Sequence, residues 1–320
     1  MTESMDDGLA PADASQTDAL VRLADVVCRA RHGDALRRVS LSVSEGERIA
    51  LFGPASCGKT LVLRLLTGDV RPDAGEVTIR GEPPSRSPVR VATVLDEPQS
   101  AGRLTVRDRL MWRMARQGLP PLQRAARVAE AMELLDLEPA RDVPERELSR
   151  SRRVALDIAG AVACDPALLL LDNVTAGLPE PLAARIFAYL DGRRAADGLT
   201  LVHATTSSAE AESADRVAVL VEGAVAACEA PAALLRRLAT DRVTIETDNP
   251  DEVQRTARGI FHVEILESPR RIRFAARDPL EVAAQAMRHA ASGASVVHIR
   301  RGTLWDAYAR IAADRRASQA

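Results

Sequence analysis

Only one of the 43 basic side chains in this sequence is a lysine, and that residue, Lys59, stands in Gly53-Pro54-Ala55-Ser56-Cys57-Gly58-Lys59-Thr60. The segment fits the pattern G-x-x-x-x-G-K-[ST]. Its chemistry is phosphate binding. Successive loop N–H groups wrap the phosphates, the lysine lies between β- and γ-phosphate oxygens as a compact charge, and the following hydroxyl faces Mg²⁺. A guanidinium fork does not fit there, so a chain that otherwise uses arginine keeps an ammonium where the geometry demands it. Gly53, Pro54, Ala55, Ser56, Cys57, Gly58, Lys59, Thr60 and Leu61 are therefore the candidate nucleotide-binding residues, with Thr60 a candidate metal ligand. Cys57 is either an oxidation-sensitive thiol or a space-filler. Further on, Leu168-Leu169-Leu170-Leu171-Asp172 reads as a buried parallel strand ending in a carboxylate. Asp172 is then the second candidate for holding Mg²⁺, through water.

These groups need a strand before the loop and a helix after it. Residues 47–52 are an apolar strand and 61–66 continue as a helix, so helix N–H groups face the phosphates. Strand-like alternation also marks residues 21–27 and 39–43; residues 75–81 and 89–95 read as further strands, and 199–204 as an apolar strand similar to the one ending at Asp172, after a helix near 181–194. Residues 217–221 and 224–228, split by Glu222-Gly223, read as a hairpin. Between 105 and 164, Leu110, Met111, Met114, Leu119, Val128, Ala131, Met132, Leu134 and Leu135 recur at helical spacing. Beyond about 238 the order becomes strand 243–247, helix 251–258, strand 261–266, strand 271–275, helix 279–289, strand 295–299 and a closing helix 303–313. That βαββαβ order predicts a small ferredoxin-like module.

Composition narrows the alternatives. The 320 residues supply one large or two ordinary domains. No apolar stretch approaches the ~18 residues of a membrane span. Residues 1–18 are acidic and polar, which predicts a disordered tail rather than a secretory signal. A net charge of −2, with two Trp, two Tyr and four Phe, argues against nucleic acid as a partner. The four cysteines lack metal-ligand or disulfide spacing, pointing to a cytosolic compartment.

From residue 21 to 313 the sequence resembles the ATP-binding-cassette (ABC) proteins. Arg31-His32-Gly33 is similar to the loop whose side chain stacks on adenine, although His32 also reads as a plain turn residue. Leu104-Thr105-Val106-Arg107 resembles the opening of the family's helical subdomain. Leu148-Ser149, followed by Arg153-Val154-Ala155-Leu156, resembles the signature helix. Thr175-Ala176-Gly177-Leu178 resembles the D-loop, and Ala214-Asp215-Arg216-Val217-Ala218-Val219-Leu220 the strand after the switch histidine. The ending Ile299-Arg300-Arg301-Gly302-Thr303-Leu304-Trp305-Asp306 is similar to the daunorubicin-resistance-type exporter branch. The resemblance implies an α/β fold of the phosphate-loop NTPase type, a mixed sheet core with a helical subdomain near 105–165 and a small C-terminal α+β domain. The expected boundaries are a tail at 1–19, a nucleotide-binding domain at 20–237 and a regulatory or dimerisation domain at 238–320. It also implies ATP and Mg²⁺, a second nucleotide-binding subunit, membrane transporter subunits, and a place at the inner face of the cell membrane.

Several positions depart from the family's pattern. Asn173 stands where a glutamate polarises the attacking water, and an amide orients water without accepting its proton. The switch-histidine position falls on Thr206, with His203 three residues earlier. The Q-loop position falls on Asp96, with Gln99 three residues later, and Asp96 or Glu97 is a substitute base or metal ligand in one reading. The signature reads Leu148-Ser149-Arg150-Ser151 where the family has Ser-Gly-Gly-Gln, and Pro179 replaces the D-loop aspartate. Arg150 blocks the approach that glycines allow, or meets phosphate with its own guanidinium. Two registers remain open at the signature and switch. The departures imply a chain that keeps binding parts while losing hydrolytic ones. An exporter subunit with slow turnover and a nucleotide-dependent regulatory module are the two readings that follow.

Overall fold

Two twelve-residue strands, β1 (Ala19–Ala30) and β2 (Gly33–Ser44), pair antiparallel, and β1 pairs on its other edge with β4 (Ala74–Ile79). Alternation alone predicts shorter strands at 21–27 and 39–43. Backbone pairing carries them further, through polar positions such as Arg29 and Ser44, and breaks in register mark bulges that absorb the mismatch. The computed structural model describes residues 19–30, 33–95, 102–116, 120–239, 241–247, 263–268, 271–276 and 294–319. The expected helices at 251–258 and 279–289 lie outside the described residues.

The chain divides into two compact units. The first comprises residues up to 48, 58–204 and 222–224; the second comprises 49–57, 205–221 and the chain from 225 onward. In the first, β5 (Val91–Val94), β6 (Leu168–Asp172) and β7 (Thr200–Thr205) run parallel, with Val91 opposite Leu168 and Leu168 opposite Thr200. All five residues of β6 are buried, as a strand covered on both faces requires. Helix α1 (Lys59–Thr67) packs on β6 and buries Val62, Leu63, Leu65 and Leu66. Helices α2 (Val106–Arg116), α3 (Pro121–Leu134), α4 (Arg150–Val162) and α5 (Glu180–Asp197) complete this unit. Leu110, Met114, Val128, Ala131, Met132 and Leu135 turn inward as their spacing predicts, together with most of α4. Leu134 does not; it is exposed at the end of α3. Leu119 lies outside the described residues.

In the second unit β3 (Arg48–Phe52) runs parallel to β8 (Arg216–Val221), with Phe52 opposite Val219, and β9 (Ala224–Glu229) returns beside β8 as the predicted hairpin. Helices α6 (Ser208–Glu212) and α7 (Pro231–Leu238) follow in this unit. Four antiparallel strands, β10 (Asp241–Thr247), β11 (Val263–Ser268), β12 (Arg271–Ala276) and β13 (Ala294–Arg300), form a sheet in the order β11-β12-β10-β13. Chain-adjacent β10 and β11 are kept apart by β12, as in a split β-α-β sheet. The closing helix α8 (Leu304–Gln319) buries Leu304 and Ala307 in a core shared with Phe52, Val219 and Leu234. Among the described residues no helix is long and apolar enough to cross a membrane.

Candidate functional site: a phosphate loop and the strand end beside it

β3 is buried at all five positions, and at its end the chain turns at Gly53. Gly53 has φ 154°, and a Cβ there would stand 2.6 Å from the Leu220 carbonyl oxygen. Gly58, just before α1, has φ 107°, and its added Cβ would meet Leu36 Cδ2 at 2.6 Å. Ser56 between them is also left-handed, at φ 63°. Such alternating backbone turns N–H groups to one side and makes an anion-binding concavity. The first turn of α1 carries no acidic side chain, leaving its positive N-terminal end undiluted. Lys59 is buried at the head of this helix, whereas Thr60, Ala55 and Ser56 are exposed, and Cys57 is buried, which fits a packing role.

Asp172 closes β6 and is only 8% exposed. Parallel register sets it opposite Ala204 at the end of β7, and the α1–β6 packing keeps this strand end with the helix that carries Lys59 and Thr60. Asn173 comes next, in a left-handed conformation at φ 52°. Its N–H donates to the Ala204 carbonyl at 2.9 Å, and its own carbonyl accepts from Ala176 N–H at 3.1 Å. Asparagine is one of the few L residues that adopt this backbone routinely. Within the first unit, a turn at Gly58 that an added carbon would fill, a lysine, an exposed hydroxyl and a buried carboxylate fit a magnesium-bound triphosphate. Among the described residues no cluster of His, Cys, Asp and Glu forms a metal site of its own.

The remaining candidates are distributed differently. Ser149 caps α4, its hydroxyl accepting from Arg152 N–H at 3.4 Å, and Ser151 is half-buried in the first turn. Arg150 Nη1 donates to the Ala176 carbonyl, so its guanidinium grips the turn after Asn173 within the same chain. His203 is buried in β7 with its ring 5.3 Å from that of Phe187, which makes it a core residue. Thr206 accepts a hydrogen bond through its carbonyl from Trp305 Nε1 at 3.1 Å. Pro179 serves as the N-cap of α5. His32, Asp96, Glu97 and Gln99 lie outside the described residues.

One group carries no sequence motif. Arg109 bridges buried Glu145 and, at 3.2 Å, Asp157, tying α2 to α4. Burial pushes the Asp157 carboxyl above the usual range, against the pull of Arg109. Beside this network a cleft of about 820 Å³ runs from Thr60 past Val94 to Leu104 and Trp112, the last two conspicuously exposed. Trp305 stands within the 299–306 ending singled out by resemblance, but no local pattern indicated its partner, the Thr206 carbonyl.

This arrangement defines a phosphate-loop nucleotide-binding protein with a helical insertion between the loop helix and β6. The profile described as "ABC transporter" matches residues 36–176. The cobalt import ATP-binding protein CbiO of Rhodobacter capsulatus is 38% identical over 220 residues, 66% of this chain and 77% of that protein. The SkfA peptide export ATP-binding protein SkfE of Bacillus subtilis is 32% identical over 60% of this chain and 82% of its own. The spermidine/putrescine import protein PotA of Nitratidesulfovibrio vulgaris is 30% identical over 66% of this chain, which spans only 58% of that relative. The solved cbiO1 of Clostridium perfringens, part of the complex cbiONQ, superposes with TM-score 0.61 at 20% identity, covering 76% of this chain and 96% of its own. The chain belongs to the ABC transporter family, as an ATP-binding subunit.

Proposed function

We propose that this chain is the ATP-binding subunit of a bacterial exporter with impaired hydrolysis. Two such subunits close on ATP at the inner face of the cell membrane and thereby drive two membrane subunits. In this reading Gly53 to Leu61 hold the phosphates, Thr60 and Asp172 hold Mg²⁺ and His32 takes the adenine. Residues 20–237 are the nucleotide-binding domain, and residues 238–320 regulate it or its pairing. Thr206 and Asp96 stand at the switch and Q-loop positions, and Ser149, Arg150 and Ser151 at the signature. The cleft beside exposed Trp112 and Leu104 favours a docking face for a membrane subunit. For direction, the similarity of residues 299–306 to the daunorubicin-resistance branch and the strand order of the C-terminal sheet support export. The relatives include both import and export proteins.

The observation that carries the reading is a complete phosphate cradle combined with an amide, Asn173, directly after Asp172. Loss of a positioned general base costs about 10²–10⁴-fold in rate. Calorimetric titration with Mg·ATP beside a phosphate-release assay tests it. Binding is expected in the wild type and absent in Lys59→Ala, with release slow in the wild type and raised about 10²-fold or more by Asn173→Glu. A wild-type rate of several turnovers per second refutes the impaired site.

One observation favours the second reading, a regulatory module that binds ATP without powering transport. Arg150 is bonded within its own chain, where the family's glycines face the other subunit's phosphate. Sedimentation with Mg·ATP separates the two: a nucleotide-dependent dimer supports the first, a monomer the second.

A further inference from the structure

The closing helix reaches the nucleotide machinery through one side chain. Trp305, in the first turn of α8, donates its indole N–H to the Thr206 carbonyl at 3.1 Å. Its ring lies 4.8 Å from that of Phe52, tilted by 56°, and Tyr308 meets it edge-on at 5.3 Å. Phe52 is the last residue of β3, immediately before Gly53 opens the phosphate loop. Thr206 follows the last residue of β7 at the switch position. One indole thus touches the two chain ends from which the phosphate loop and the switch turn emerge.

Both ends of this contact are held. On the switch side Thr205 Oγ1 donates to Glu210 Oε2 at 2.7 Å and accepts from Ser207 N–H at 2.9 Å, making a stiff turn with the Thr206 carbonyl directed outward to the indole. On the helix side Asp306 accepts from both Thr303 N–H and Thr303 Oγ1 at 2.9 Å, a side-chain cap that fixes the first turn of α8. Gly302 N–H donates to Asp241 Oδ1 at 2.7 Å, anchoring the start of that helix to the first residue of β10. A continuous set of contacts runs from the C-terminal sheet through the α8 cap to the switch turn and the end of β3. Every link is a hydrogen bond or a ring contact rather than loose proximity.

We propose that Trp305 is a positioning residue of the nucleotide site, holding the Thr206 turn and the end of β3 in one arrangement, so that nucleotide binding and the seating of α8 depend on each other. The proposal rests on the phosphate-site reading above and adds a route by which the C-terminal sheet regulates it. Coupling of this kind is reciprocal: whatever loosens the indole weakens nucleotide binding, and bound nucleotide changes the surroundings of the indole.

With only two tryptophans in the chain, Trp112→Phe leaves Trp305 as the sole indole reporter. Titrating that full-length variant with Mg·ATPγS should change Trp305 emission with the midpoint that calorimetry gives, and adding Lys59→Ala should abolish both. Trp305→Phe keeps a ring against Phe52 but removes the donor. It should weaken Mg·ATPγS binding about threefold to tenfold while leaving the thermal midpoint nearly unchanged, a split that a purely structural role would not produce. Calorimetric binding with silent Trp305 emission, or wild-type affinity in Trp305→Phe, overturns the proposal while leaving the phosphate site standing. Absence of calorimetric binding in the wild type overturns both.

Discussion

At Gly53 an added methyl group would lie 2.6 Å from a backbone oxygen, which cannot rotate away as a side chain can. Gly53→Ala should therefore displace β8 or the loop, costing about 1–3 kcal/mol in urea unfolding and abolishing calorimetric nucleotide binding. Asn173→Glu meets a different constraint. Its left-handed backbone penalises glutamate by about 1 kcal/mol, so the variant should melt a few degrees lower while its phosphate release rises. A fall in melting point without a gain in rate would mean that the missing carboxylate is not what limits turnover. The loop was legible because its residue types are demanded by local backbone geometry. The role of His203 was not, because whether a histidine on a strand faces a site or a core depends on Phe187, a residue brought to it by folding.

Elements are joined here by groups that no motif marks. Arg109 on α2 is the cation shared by Glu145 and by Asp157 on α4, and Glu145 is 1% exposed. Arg109→Met should leave that buried carboxylate uncompensated and cost about 3–5 kcal/mol, read as a loss of thermal and denaturant stability. Asp157 also predicts a pH dependence. Burial raises its pKa, Glu145 adds to the rise, and Arg109, Arg113 and Arg153 oppose it. A carboxyl with a raised folded pKa is protonated more readily in the folded state than in the unfolded one. Its contribution therefore shifts toward stability as pH falls through the raised value to about 4. Relative to Asp157→Asn, the wild type should gain stability over that interval in urea titrations at successive pH values. Helical spacing located α2, α3 and α4, yet Leu134 shows its limit: periodicity assigns a face, while the end of a helix is exposed by what fails to cover it.

At the scale of the molecule, the C-terminal segment is not an appendage. Leu304 and Ala307 of α8 are fully buried in the core that holds Phe52 and Val219. Ending the chain after Ala239 removes this helix and bares Phe52 and Leu234. Burial of side chains of this size is worth about 1.5–3 kcal/mol each, so the truncated protein should unfold at distinctly lower denaturant concentration or aggregate. A truncation with wild-type stability and nucleotide affinity would contradict the shared core. The family profile ends at residue 176, well short of this helix.

The order of strand, phosphate loop and helix, the carboxylate ending an apolar strand, and the four strands and closing helix described beyond residue 240 were all determined by local sequence. Each follows from short-range rules: glycine where backbone must turn left-handed, apolar runs where both faces are covered, alternation where one face is. Only the tertiary structure decided that Asn173 occupies a left-handed turn bonded to Ala204, that Arg150 grips Ala176, and that Trp305 meets Thr206 and Phe52. Those contacts join residues remote in the chain, and the free energy that selects them exists only once both partners have been brought together.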